Sequence, residues 1–574
     1  MGTCIFVSEL NRLRKSSRDS IDNEKQFDKF KQYMHVHRRA EDDLKEVLRR
    51  TNSSQRKTLV LVCGSAGDGK SHMLSYLKNY DSDNLLANYI IHNDGTESSS
   101  PNKTAVQTLN EVLDDFSDEK LDRSGKNLIL AINLGVLNNF IESEFGYRYT
   151  RLHEYIISHN ILSAKVVEGC FEENSHFQHV SFSDYQLYTL DDEGAKSEFI
   201  STLLSKVYLN NPNNPFSQTF QKGCEACPLK IKCPVRYNFL FMQSEHIRDY
   251  ISKILVMTIV KNKMIVTTRE LLNYFYDITV PQNFSFSELS KKTENNNSII
   301  RFFLNSITPT LMFSQSGVSN LMENVKKEDP LTLRSAVRDE QAIQYYVSSD
   351  ISQTAIHVLE NLPYKDFFLL NENLIELKSD GTIKGMMYGC LMRLETMQTG
   401  TFYDEYYNEF VKTLFYYNKG DNKQIGKLFE KLKMAILSWN GSDSNDRICI
   451  DSDRNGFSMY ENVTFDEDTD DIPVKNDAEE LERFLPEIHV GYNIGTNGET
   501  AQLDIDFSMF QMIRMLNEGY IHTTVDTNDH ADFMNFVEKL KRSGNAVDEV
   551  IIVSNTGERS ILKHTKFVYT YEVL

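Results

Sequence analysis

The chain of 574 residues has no apolar run near the length of about 18 that a membrane-spanning helix needs, its longest being pieces such as ILVMTIV at 254–260. The opening residues, MGTCIFVSELNRLRKSSRDS, place basic residues after a short apolar piece and carry no cleavage-site pattern; no signal peptide is expected, and the cytoplasm is the expected location. Positive charge is in deficit. With 62 Lys and Arg against 82 Asp and Glu, the formal charge of −20 excludes a protein whose whole surface coats nucleic acid, while a local basic groove stays possible. Cysteine is scarce too: eight thiols are too few for a disulfide framework, and three of them crowd into GCEACPLKIKCP, which in a reducing compartment points to metal. There is no internal repeat and no long low-complexity tract.

What remains is ordinary globular material, 40% hydrophobic and 25% charged, long enough for about three or four domains. Residues 1–57 read as helix, with apolar residues at helical spacing in DKFKQYMHVHRRAEDDLKEVLRRTN. Near Arg56 the pattern changes abruptly. TLVLVC (58–63), LLANYIIH (85–92), NLILAINLG (127–135) and HFQHVSFSDYQLY (176–188) read as buried strands separated by helical stretches, the signature of a parallel sheet covered by helices on both faces. The expected fold is therefore α/β over 58–260, with a cysteine-cluster insertion at 222–238 and a mostly helical region at 261–441. Residues 442–477 are acidic and rich in turn formers, and read as a solvated connector. From 478 to 574 the period falls to two: HVGYNI and LDIDF flank the Asn497-Gly498 turn signal, DEVIIVSN and KFVYTYEVL form a second strand pair bracketing Gly557, and HADFMNFVEKLKR between the two pairs is helical, giving a small α+β module.

Between the first strand and the first helix lies GSAGDGKS, a G-x-x-x-x-G-K-[ST] match and hence a P-loop NTPase signature. Gly64, Gly67 and Gly69 permit backbone angles that turn amide hydrogens toward phosphate oxygens; Ser65, Ala66 and Asp68 complete the cradle. Lys70 reaches the β and γ phosphates, and Ser71 offers its hydroxyl to magnesium, so ATP with Mg is the expected cofactor. Hydrolysis also needs a carboxylate at the end of a neighbouring strand. NLILAIN ends instead in Asn133, which suits a polar sensor of the γ-phosphate; the acid then falls to Asp94, Glu97 or Asp184, each of which also reads as a turn or capping residue. Arg269, near the start of TTRELLNYF, is a γ-phosphate arginine or an ordinary helix-surface one.

Cys224, Cys227 and Cys233 form C-x2-C-x5-C. Zinc or an iron–sulfur cluster wants four soft ligands, so a fourth is required from elsewhere: Cys170, His176, His179 or His246. Reduced structural thiols are the alternative. Lys222, Lys230, Lys232, Arg236 and Tyr237 surround the cysteines against the single acid Glu225, which suits either a DNA contact or a solvated metal knuckle.

Taken together, LRKSSRDSIDNEKQFDKFKQYMHV, CGSAGDGKSHMLSYLK, NLILAINLGVLNNF, CEACPLKIKCPVRYNF and LDIDFSMFQMIRMLNEGY resemble, in this order along nearly the whole chain, the DptF family. That family is the ATPase-like component of DNA phosphorothioation-dependent restriction systems. The resemblance implies a role in bacterial host defence, ATP binding at Gly64–Ser71, and assembly with two partners, DptG and DptH, in a complex acting on DNA that lacks the sulfur mark. It identifies no nuclease centre.

Overall fold

A computed structural model describes the chain except residues 1–3, 16–28, 55, 66, 94–103, 124, 163–170, 283, 293–295, 333–335, 348–350, 371–380, 401–403, 443, 445, 453–455, 464, 471, 495–498, 544–548 and 566–567. Two compact units emerge: residues 1–188, 196–259 and 264–402 form the first, and 189–195, 260–263 and 403–574 the second.

The first unit is built on a parallel sheet of β1 (Leu59–Cys63), β2 (Tyr89–His92), β3 (Asn127–Ile132) and β4 (Phe177–Ser181), in the order β2-β3-β1-β4. Successive side chains of a strand point to opposite faces, so a strand buried on both sides must be apolar at every position. Strand β1 meets that condition. Leu59, Leu61 and Cys63 join Leu130, Ile132, Leu109, Phe140 and Leu152 in one core, whereas Val60 and Val62 join Ile129, Ala131, Val180, Leu44, Val47, Met73 and Leu77 in another. The second group includes residues of the helices Arg39–Ser53 and Lys70–Tyr80. The helix Arg39–Ser53, expected within a separate N-terminal segment, thus covers one face of the sheet and shares its core.

β2 is shorter than the LLANYIIH stretch suggested, because Leu85, Leu86 and Ala87 form a turn before Tyr89. Beyond the sheet the first unit is helical, and TTRELLNYFYD forms the helix Thr268–Asp277 closed at its start by a reciprocal Thr267–Glu270 capping box. Among the described residues no helix is long and apolar enough to cross a membrane.

The second unit begins ahead of the position expected for the C-terminal module. Its helices Glu405–Asn418 and Asn422–Asn440 pack with Phe507–Asn517 through Phe410 against Phe510, an Arg514–Glu409 ion pair of 2.8 Å and the Asn517 side-chain amide donating to the Lys431 carbonyl. The hairpin Ile488–Ile494 with Glu499–Ile505 is present; its turn signal Asn497-Gly498 lies outside the described residues.

Within 442–477 the stretch from Arg447 to Asp468 does not form the expected solvated connector, whereas 472–477 has no strand or helix and is largely exposed. Arg447–Ser452 and Phe457–Asn462 pair antiparallel and extend the C-terminal sheet through Glu549–Ser554, while Asp466–Asp468 pairs with Ile488–Ile494. The physical reason is that backbone pairing is indifferent to net charge: Ile448, Cys449 and Val463 are buried while Asp451, Asp466 and Glu467 stay exposed. Arg559–Thr565 is a further strand, standing between Glu549–Ser554 and Val568–Val573, so the last two expected strands do not pair directly.

Candidate functional site

Parallel register brings several chain ends level. Cys63 is paired with Ile132 on one side and Ser181 on the other, so Gly64, Asn133 and Phe182 leave the sheet side by side at its carboxyl edge. β1 is joined to neither neighbour by a direct connection, and it is at such a switch point of a parallel sheet that a crevice opens for ligands.

The loop 64–69 turns sharply. Gly64 has φ 151° and Gly67 φ 90°, and a Cβ on Gly64 would stand 2.7 Å from Asp68 Oδ2 and 2.9 Å from Phe182 Cβ. Only glycine fits there. Asp68 folds back so that its Oδ2 accepts the Ser65 amide hydrogen at 2.5 Å, and Lys70 Nζ donates to the Ser65 carbonyl at 2.6 Å. The helix Lys70–Tyr80 starts directly after Gly69, with the Met73 amide donating to the Gly69 carbonyl. Burial lifts the Asp68 carboxyl above its usual range, against the pull of Lys70, the Ser65 amide and Arg38, while the Glu270 charge adds to the rise.

Ser71 Oγ donates to the Asn93 carbonyl at 3.3 Å, tying the loop to the residue that follows β2. Asn133 is the N-cap of the helix Leu134–Ile141, its Oδ1 accepting from the Gly135 amide at 2.8 Å; its side-chain NH2 is therefore the group suited to a phosphate oxygen. Asp184 ends the 3-10 turn Phe182–Asp184 directly after β4. The Cys63 thiol, pushed up to about 12 by burial, is pulled down by the Lys70 charge and pushed up by that of Asp184, so both charges act at this end of β1. Arg269 is the second residue of the helix Thr268–Asp277, whose capping residue Thr267 stands 3.3 Å from where a Cβ of Gly67 would sit. Asp94, Glu97 and Ala66 lie outside the described residues.

Two residues at the loop carry no sequence signal. Arg38 Nη1 donates to the Asp68 carbonyl at 3.0 Å, with its guanidinium over the rings of Phe182 and Phe199, and burial lowers its pKa. Thr267 is the other. A cavity of about 390 Å³ lined by Tyr33, Ser201, Lys206, Glu245, Arg248 and Asp249 shares no residue with the loop.

Cys224 closes the helix Pro215–Cys224, Cys227 follows in a turn where its amide donates to the Cys224 carbonyl, and Cys233 caps the helix Pro234–Met242. Cys170 lies outside the described residues. The three histidines weighed as a fourth ligand are engaged elsewhere: His176 Nδ1 with the Lys57 carbonyl at 2.7 Å, His179 Nδ1 with the Tyr155 hydroxyl at 3.0 Å, and the His246 ring beside Gly400.

Comparisons with protein-family models, with curated proteins and with solved structures find no match for this chain.

Proposed function

We propose that the chain binds ATP with magnesium on the loop Gly64–Ser71 and works as the ATP-hydrolysing subunit of a DNA phosphorothioation-dependent restriction complex in bacterial host defence. One observation carries the nucleotide part: a glycine-turned loop between the central parallel strand and a helix start, with Lys70 and Ser71 at its end and Asn133 and Asp184 at the neighbouring strand ends. In this reading Lys70 holds the β and γ phosphates and Ser71 binds magnesium. Asp94, Glu97 or Asp184 supplies the magnesium carboxylate. The Asn133 amide and Arg269 address the γ-phosphate. The resemblance to DptF supports the restriction role, DptG and DptH as partners, DNA reached through the complex, and a cytoplasmic location.

A second reading, a nucleotide-held scaffold or regulatory switch that does not hydrolyse, is favoured by β3 being followed by Asn133 rather than a carboxylate. Co-purification with the partners and measurement of ATP turnover, with and without unmodified DNA, separates the two. Turnover abolished by Lys70→Ala supports hydrolysis; tight ATP retention without phosphate release supports the switch; wild-type turnover and restriction in Lys70→Ala would sink both.

A further inference from the structure

Three cysteines fall one ligand short of a soft-metal site, and the segment that begins at Cys4 packs beside them. Gly223, directly before Cys224, lies under Ile5: a Cβ there would be 2.9 Å from Ile5 Cγ1 and 3.8 Å from Phe6 Cβ. Phe6 is clamped edge-on between Phe220 and Phe239, at 5.2 and 5.0 Å between ring centroids, and these rings belong to the two helices that carry Cys224 and follow Cys233. Cys4 is the residue before Ile5 and caps the helix Ile5–Leu10. It is thereby held beside the cysteine cluster.

From this placement we propose that Cys4, Cys224, Cys227 and Cys233 form a four-thiolate site for a soft metal centre, zinc or an iron–sulfur cluster.

Four thiolates gathered together repel one another and become compatible once a cation sits among them. Among the described residues no three His, Cys, Asp or Glu side chains are already gathered as one ion would hold them. Loading Zn2+ would convert four thiols to thiolates, release four protons and leave a charge of −2, in a segment that also carries Lys222, Lys230, Lys232 and Arg236. Phe6 packing on Phe220 and Phe239, with Ile5 against Gly223, holds the segment that begins at Cys4 against the helices flanking the other three cysteines.

The test uses the full chain purified without oxygen. Metal and sulfide are quantified, and thiols are alkylated before and after chelation, with the modified cysteines located by mass spectrometry. The expected result is bound metal and joint protection of Cys4, Cys224, Cys227 and Cys233, lost together on chelation. A colourless protein with about one zinc per chain identifies zinc, and a coloured one with iron and sulfide identifies a cluster. Cys4→Ser should lose at least tenfold in metal affinity, and Cys449→Ala none. A metal-free protein, rapid alkylation of Cys4 while the other three stay protected, or full metal retention in Cys4→Ser would overturn the proposal. The protection pattern needs no variant, so a poorly folding Cys4→Ser does not decide the matter. ATP binding is read in parallel, since loss of metal without loss of ATP binding keeps this site separate from the nucleotide reading.

Discussion

Asp68 Oδ2 accepts the Ser65 amide hydrogen at 2.5 Å, so the loop's own carboxylate takes an amide that a phosphate oxygen would otherwise use. The loop holds its turn by bonding to itself, and in the proposed nucleotide site a triphosphate would displace a like charge. Asp68→Asn removes that charge while keeping the shape. It should tighten Mg-ATP binding about tenfold, the scale of one charge-assisted hydrogen bond of roughly 1.5–3 kcal/mol partly replaced by a neutral one. Calorimetric titration checks this; an unchanged or weaker affinity refutes the idea that Asp68 competes with phosphate.

Gly67 combines φ 90° with Thr267 3.3 Å from its virtual Cβ. Gly67→Ala strains the backbone by about 1–3 kcal/mol and presses on the helix start at Thr267. A lowered melting temperature together with weakened ATP binding is expected. Wild-type binding would show that the loop needs neither the angle nor the close approach.

His72 Nε2 lies 3.3 Å from His35 Nδ1, and burial, helped by the charges of His35 and Lys31 and opposed by Glu41, lowers its pKa to about 4. An unfolded histidine takes up its proton near 6.5, as an ordinary value. Between about 6.5 and 4 the unfolded chain therefore binds more protons, so this contribution to stability is fully present above pH 6.5 and is lost as pH falls toward 4. His72→Gln should flatten the decline between pH 7 and 5 in denaturant titrations. An identical slope would remove His72 as its cause.

Leu130 is fully buried and paired with Leu61 in the sheet. Leu130→Ala should cost about 2–5 kcal/mol through lost burial and the cavity it leaves. A loss under about 1 kcal/mol, read from urea unfolding, would mean that this part of the sheet is not a close-packed core.

How much of this was legible in the chain depends on how local each signal is. The glycine-rich loop lies within eight consecutive residues, and β1 and β3 announce themselves as apolar runs because both faces of the sheet are covered, whereas β4 buries Gln178, His179 and Ser181 between its apolar positions. Arg38 and Thr267 reach the loop only through tertiary packing, and nothing in HVHRRAED or IVTTREL distinguishes them from ordinary helix-start residues. Cys4 is hidden in the same way, since the cysteine spacing marks three thiols and Cys4 comes beside them only through Phe6 packing on Phe220 and Phe239. The strands at 447–452 and 457–462 were masked by their acids: solvent-facing side chains dominate the composition, while Ile448, Cys449 and the backbone pairing decide the structure.

The central claim is that Gly64–Ser71 holds a nucleoside triphosphate. Equilibrium binding of Mg-ATP to the full chain, measured side by side with Lys70→Ala, tests it most directly. Saturable binding that weakens at least tenfold on losing Lys70, as removal of a charged donor worth roughly 1.5–3 kcal/mol requires, is the predicted result. No binding by the wild-type chain, or equal binding by both proteins, would contradict it.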